Sequence, residues 1–103
     1  MLIEKTYKID DVVTIKLKSG EELDGKLEAE DDKAIRVHMP LTLVASEKGI
    51  GLQQFLFTAD VTKSYTIKHE AITLIAATKP EFAEGYNKQT SSIITPQKPS
   101  IIT

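Results

Sequence analysis

The feature that most constrains the fold is a pair of alternating segments separated by a glycine turn. In residues 12–18, Val13, Ile15 and Leu17 point to one face of an extended chain, and polar side chains point to the other. Residues 22–29 repeat this period of two. The pattern predicts a β-hairpin whose strands bury the same face, because a slip of one residue would bury the charges.

The turn and the strand that follows it set the predicted register and curvature. A three-residue loop at residues 19–21 pairs Leu17 with Leu23, whereas a two-residue loop sets Leu17 opposite Glu22. We therefore predict the longer loop. Gly25 stands in mid-strand on the apolar face, where it predicts a sharp bend that curls the sheet into a small open barrel.

Further strands follow along the chain. Residues 35–39 alternate, and Arg36 on their outward face is predicted to pair with Glu28. Pro40 is predicted to end regular pairing or to mark an edge, and residues 41–44 are a candidate extension of the strand. Later runs predict strands at residues 52–58, 65–68 and 72–77, with a tight corner at 69–71. The predicted fold class is all-β, a small, strongly bent antiparallel sheet or open barrel of about five to six strands.

The C-terminal part has a different composition. We predict a β-barrel domain over residues 1–78 and a partly mobile C-terminal extension over 79–103, with a short helix or extended tail beginning near Pro80. Residues 92–95 read Ser-Ile-Ile-Thr, and residues 100–103 repeat them. Two interpretations stay open, a mobile tail and a β-branched segment that adds a strand to the sheet edge of a neighbour.

Composition excludes several classes of function. The 103 residues include no cysteine and two histidines, so we expect no disulfide, no metal site and no cofactor. No nucleophile elbow or glycine-rich phosphate loop is present, and we expect the chain not to be an enzyme. A net charge of −2 does not attract duplex DNA over long range. Without an apolar leader or membrane span in the sequence, we expect a cytoplasmic location.

Two motifs carry a resemblance to a known family. The first is VVTIKLKSGEELDGKLEAEDD, with Gly20 in the turn and Gly25 at the bend, and the second is IKHEAITLI at residues 67–75. Over residues 10–77 the chain resembles the Sm-like family. The Lys68-His69 pair is similar to the Lys-His of the bacterial Sm-like RNA chaperone, and the short acidic core with a β-branched tail resembles divergent members of phage origin.

The resemblance implies a function and a set of site residues. Sm-like proteins are strongly bent five-stranded barrels that assemble into rings and bind single-stranded RNA. It implies a homo-oligomeric ring of about five to seven subunits that binds single-stranded RNA or DNA. The implied nucleic-acid-binding residues are Lys68, His69, Asp31, Asp32 and Lys33. The loop after Asp31 lacks the base-stacking and asparagine side chains of the family, so base-specific uridine recognition is not implied.

Alternatives to this interpretation come from the same residues. The chain is alternatively a structural or protein-interaction ring whose C-terminal tail docks on other proteins without touching nucleic acid. The corner at Lys68 and His69 is then a solvated turn. Phe55, Phe57 and Tyr65 offer stacking platforms for bases, but in so small a domain we predict that they belong to the core or to a subunit interface.

Overall fold

A computed structural model of the chain describes residues 6–94, with side chains described up to residue 91. The strands are β1 Val12–Leu17, β2 Glu22–Glu30, β3 Ala34–Ser46, β4 Gly49–Gln54, β5 Ser64–Lys68 and β6 Ile72–Ala77, followed by the helix α1 at Pro80–Ile94. A 3₁₀ turn at His69–Ala71 joins β5 to β6. The strands form one antiparallel sheet in the order β4-β3-β2-β1-β6, and β5 also pairs with β3. The predicted all-β fold class is confirmed.

The hairpin of β1 and β2 has the predicted loop length in a different register. Ile15 lies opposite Leu23, so the predicted pairing of Leu17 with Leu23 is wrong by two residues. The loop occupies residues 18–20, because Gly20 adopts a φ of +113° and is the residue that ends the turn. A shift by two residues leaves every side chain on its face, so alternation alone cannot reveal it.

Two bulges interrupt the pairing of β2 with β3. The first lies between Asp24 and Lys26, at the glycine for which the sequence predicts a bend. The second lies between Leu27 and Ala29 and gives Glu28 no direct partner in the ladder. The predicted ion pair between Arg36 and Glu28 nevertheless forms, with 3.2 Å between Arg36 Nε and Glu28 Oε1.

The long strand β3 bends at Met39 and Pro40 without ending there. Met39 has a φ of +52°, an uncommon conformation for a residue other than glycine. Pro40 does not end the strand, which continues through residues 41–44 as the sequence allows, but β3 changes its partner there. Residues 34–38 pair with β5, whereas residues 41–46 pair with β4. Because proline has no N–H group, the change of partner falls where the ladder is already interrupted.

Each face of the sheet has its own hydrophobic core. The first core lies on the side of the sheet predicted from the alternating runs, and its buried members are Val13, Ile15, Leu17, Leu23, Leu27, Ile35, Val37 and Ile72. The second core consists of Val12, Met39 and Leu41 beneath Tyr86 of α1. The helix therefore covers the face that the sequence pattern assigns to solvent.

The helix α1 spans 15 residues, more than the short helix expected near Pro80. It continues past Thr90, and both Tyr86 and Thr90 are buried. Their spacing of four residues places them on one side of the helix, so packing stabilises a segment of weak intrinsic propensity. The first Ser-Ile-Ile-Thr copy begins inside α1, and the second lies outside the described residues.

The aromatic residues after β4 do not all belong to the core. Phe55 packs partly against the first core, and Tyr65 donates a hydrogen bond to the carbonyl oxygen of Asp60. Phe57 is 84% exposed in the single chain, so of the two places predicted for it, the core is excluded and a subunit interface stays a prediction. The reason is that Phe57 lies in a loop and not in a strand. The strand predicted at residues 52–58 ends at Gln54, and residues 55–63 form an irregular loop.

The described residues contain neither a membrane-spanning helix nor a metal cluster. No helix in this part of the chain is both long and apolar enough to cross a membrane. Among the same residues, no group of three or more histidine, aspartate and glutamate side chains is placed to hold a metal ion.

Candidate nucleic-acid interface

The pairing of β3 with β5 brings the two predicted site segments together. Ala34, at the start of β3, lies opposite Lys68, at the end of β5. The loop that precedes β3 therefore meets the 3₁₀ turn that follows β5. An open cleft of about 470 Å³ forms between them, and its lining residues are Asp32, Lys33, Ala34, Thr66, Lys68, His69 and Glu70. Four of the five predicted residues line one cleft, which we call the loop–turn cleft.

His69 joins the two sides of the loop–turn cleft. Its backbone N–H donates to the carbonyl oxygen of Lys33 over 2.8 Å. Its ring Nε2 lies 3.0 Å from the carbonyl oxygen of Asp31 and 3.3 Å from Oε2 of Glu30. Both neighbours are acceptors, so Nε2 is the ring nitrogen that carries the proton. Nδ1 is left as the ring position for a ligand contact.

Asp31 shapes the loop from within. Its Oδ1 accepts hydrogen bonds from the backbone N–H groups of Lys33, at 2.8 Å, and Ala34, at 2.9 Å. The bond from Lys33, followed by that from Ala34, lowers the pKa of the Asp31 carboxyl. The carboxylate thus holds the turn that presents Lys33. Asp31 lines a smaller neighbouring cleft with Arg36 and not the loop–turn cleft itself.

Lys33 and Lys68 are the two cationic side chains of the loop–turn cleft. Both are exposed, and neither forms an ion pair with any residue of the described chain. Asp32 and Glu70 line the same cleft and balance the formal charge of the two lysines. One copy of the cleft therefore has no net charge when His69 is neutral, and its affinity for a polyanion depends on where the two ammonium groups lie.

The outward face of β3 carries a separate polar cluster. Glu28 lies 3.2 Å from Arg36 Nε through its Oε1 and 3.6 Å from His38 Nδ1 through its Oε2. The same Nδ1 of His38 is 3.0 Å from Ser64 Oγ. These contacts agree with the interpretation of Arg36 as an ion-pair partner within the sheet.

The sequence did not predict the contacts of Tyr7 and Glu30 that hold His69 in place. The hydroxyl of Tyr7 donates to the carboxylate of Glu30, with oxygen distances of 3.2 and 3.3 Å, and Glu30 in turn contacts His69. Nothing in the spacing of these three residues indicates the contact, because the N-terminal segment is not part of either motif. A tyrosine before the first strand is too common a feature to serve as a signal.

Comparison with known proteins identifies a similar fold. No family model matches the sequence, and no curated protein matches it. Among solved structures, the chain is similar to a heptameric archaeal Sm protein with 14% sequence identity and a TM-score of 0.47. The aligned part covers 69% of this chain and 90% of the archaeal protein.

Proposed function

We propose that this chain is a non-enzymatic, cytoplasmic ring protein that binds single-stranded nucleic acid, RNA or DNA, at the loop–turn cleft. The observation that carries the proposal is the set of hydrogen bonds by which His69 connects the 3₁₀ turn to the loop before β3. These hydrogen bonds to Lys33 and Asp31 fix the loop against the 3₁₀ turn, so that two lysines without an ion pair in the described chain share one cleft. Such an arrangement suits a phosphate backbone, which needs cations at fixed positions.

The chemistry of the cleft favours a flexible single strand. Lys33 and Lys68 supply ammonium groups for phosphates, and His69 Nδ1 and the exposed Thr66 hydroxyl are available for a base or a sugar. Asp32 and Glu70 offer acceptors for the amino groups of bases. A stiff duplex of high charge density would bring phosphates close to these two carboxylates. A flexible single strand can place its phosphates beside the lysines and away from the carboxylates.

Assembly into a ring multiplies these contacts. The outer edge of β6 on one side of the sheet, and those of β4 and β5 on the other, have no strand partner within the described chain. Antiparallel pairing of one edge with the opposite edge of the next copy would satisfy both and close a ring, as the sequence resemblance implies. Repetition of one weak cleft in about five to seven subunits raises the overall affinity for one strand by avidity.

A ring that binds proteins and not nucleic acid is the second candidate. The exposed Phe57 favours it, because a large apolar side chain at 84% exposure is an anchor suited to a protein surface. The cancelled charge of the loop–turn cleft favours it too. In this candidate the repeated C-terminal Ser-Ile-Ile-Thr segment supplies a further contact to the partner.

Substitution of Lys68 by alanine tests the proposal. We expect wild-type protein to show the mass of a ring in static light scattering and to bind a labelled single-stranded oligonucleotide in fluorescence anisotropy. Lys68→Ala is expected to bind about tenfold more weakly, the equivalent of about 1.4 kcal/mol. It should also lower the salt slope by about 0.7 for each phosphate that the protein no longer neutralises.

Lys48→Ala is the matched control, because Lys48 is an exposed lysine at the tip of the β3–β4 hairpin. It should bind as the wild type does. Equal affinities for Lys68→Ala and Lys48→Ala would refute the site. Retention by a protein partner that does not change with salt, without any oligonucleotide binding, would favour the second candidate.

A further inference from the structure

A buried carboxyl group lies on the face of the sheet that α1 covers. Asp24 is 1% exposed, although its position in the alternating pattern of β2 assigns it to solvent. Its Oδ1 accepts a hydrogen bond from the Thr14 hydroxyl over 3.0 Å. Its Oδ2 is also buried and has no hydrogen-bond partner among the described residues. An unpaired buried oxygen of this kind is rare in folded proteins and calls for an explanation.

The hydrogen bonds of the two hydroxyl groups near Asp24 have a defined donor order. Thr14 Oγ1 gives its proton to Asp24, so the 2.8 Å contact between Thr14 Oγ1 and Thr78 Oγ1 must be donated by Thr78. Neither of these two hydroxyl protons is left over for Oδ2. Burial raises the pKa of the Asp24 carboxyl, since desolvation disfavours its charged form more than the Thr14 bond favours it.

Asp24 lines a pocket beside the first turn of α1. The pocket has a volume of about 290 Å³, and its polar members are Thr14, Glu22, Asp24, Thr78 and Lys79. Its apolar walls come from the side chains of Leu43, Ile50, Ala76, Ala77 and Phe82. We call it the Asp24 pocket. It lies on the opposite face of β2 from the first core and shares no lining residue with the loop–turn cleft.

We propose that the Asp24 pocket binds an organic ammonium group carried on a short apolar stem. The ammonium donates to Asp24 Oδ2 and to the free lone pairs of Thr78, while the stem contacts Leu43, Ile50 and Phe82. A buried carboxylate is stabilised most by a charged donor, and an alkyl stem matches the walls. The exposed Glu22 offsets the positive charge of Lys79, which forms no ion pair with a described residue.

A metal ion fits the Asp24 pocket less well than an ammonium. Hard cations require about six or more oxygen ligands, and much of the pocket wall is hydrocarbon. The ammonium has two conceivable sources, a free alkylamine and a lysine side chain of another chain. Both present the same head group, so they differ only in what is attached to the stem.

Titration of n-butylammonium into the isotope-labelled full chain, followed by amide chemical shifts, tests the inference. We expect saturable shifts at Thr14, Asp24 and Thr78, and none with 1-butanol at the same concentrations. Asp24→Asn keeps the acceptor for Thr14 and removes the charge, so its affinity is expected to fall at least tenfold. Glu47→Gln removes an exposed acid at the tip of the β3–β4 hairpin, outside both the Asp24 pocket and the loop–turn cleft, and is expected to leave the affinity unchanged.

A second variant guards against a failure of Asp24→Asn to fold. Ala76→Leu leaves Asp24 in place and fills the pocket, and it is expected to abolish the shifts. Wild-type affinity in either variant, or equal binding of 1-butanol, overturns the inference. Blocked lysine, N-acetyl-lysine methylamide, distinguishes the sources. Affinity equal to that of n-butylammonium supports a lysine side chain, and affinity at least tenfold weaker supports a free amine.

Discussion

Replacement of Tyr86 by alanine is expected to lower the free energy of unfolding by about 3–5 kcal/mol. Tyr86 is 1% exposed and packs on Val12, Met39 and Leu41 in the second core. Its hydroxyl lies 2.7 Å from the carbonyl oxygen of His38 and 2.9 Å from that of Met39, at the bend of β3. Loss of the ring therefore removes both the packing under α1 and the donor at the bend. Urea denaturation followed by circular dichroism measures the effect.

Tyr86→Phe separates the two contributions. It retains the ring and loses only the hydroxyl, so a loss of about 1–2 kcal/mol is expected from the unpaired carbonyl groups. For Tyr86→Ala, a loss below about 1 kcal/mol would contradict the account, because it would mean that α1 is not part of the folded core in solution.

Reversal of both charges in the loop–turn cleft is expected to give the largest functional effect. In Lys33→Glu/Lys68→Glu, affinity for a single-stranded oligonucleotide should fall at least about 100-fold at about 100 mM salt, equivalent to roughly 3 kcal/mol. In the proposed ring, two phosphate contacts in each subunit would become repulsions, and every subunit would carry the change. Fluorescence anisotropy measures the affinity, and light scattering shows whether the ring persists.

The matched control is Lys48→Glu/Lys88→Glu. It makes the same change in net charge at two exposed lysines of the β3–β4 hairpin and of α1, outside the cleft. Only a long-range effect of charge should remain, a loss of less than about tenfold that disappears as salt rises. Equal losses in the two double variants would mean that the loop–turn cleft is not a localised binding site.

The sequence predicted which faces are buried better than it predicted the register. Alternation in β1 and β2 identified both strands and the core side chains Val13, Ile15 and Leu23. The register came out two residues away because such a shift keeps all faces unchanged. Only the positive φ of Gly20 decides which three residues form the loop, and a backbone angle is not visible in a pattern of hydrophobicity.

The burial of the second face of the sheet could not be predicted from the sequence. Asp24 alternates as a solvent residue, yet it is buried on the face where α1 packs against Val12, Met39 and Leu41. The intrinsic helix propensity of α1 is modest, because Gly85 lies within it. Its length therefore depends on the contacts made by Tyr86. Long-range packing of this kind leaves no local periodic signal.

The sequence predicted the two segments that form the candidate site, but not the hydrogen bonds within it. The two motifs named both the loop at residues 31–33 and the turn at Lys68 and His69, and the pairing of β3 with β5 brings them together. The internal roles of Asp31 and His69 depend on distances of about 3 Å between atoms far apart in sequence. They therefore had to come from the structure.

Photo-crosslinking of a thiouridine-substituted RNA strand to the wild-type protein, with mass spectrometry of the linked peptides, tests the central claim most directly. If nucleic acid binds in the loop–turn cleft, the linked residues will lie within 31–34 and 66–70, and the links will be lost in Lys33→Glu/Lys68→Glu. Crosslinks that fall only elsewhere, for example at the exposed Phe57, or that persist unchanged in the double variant, would contradict it.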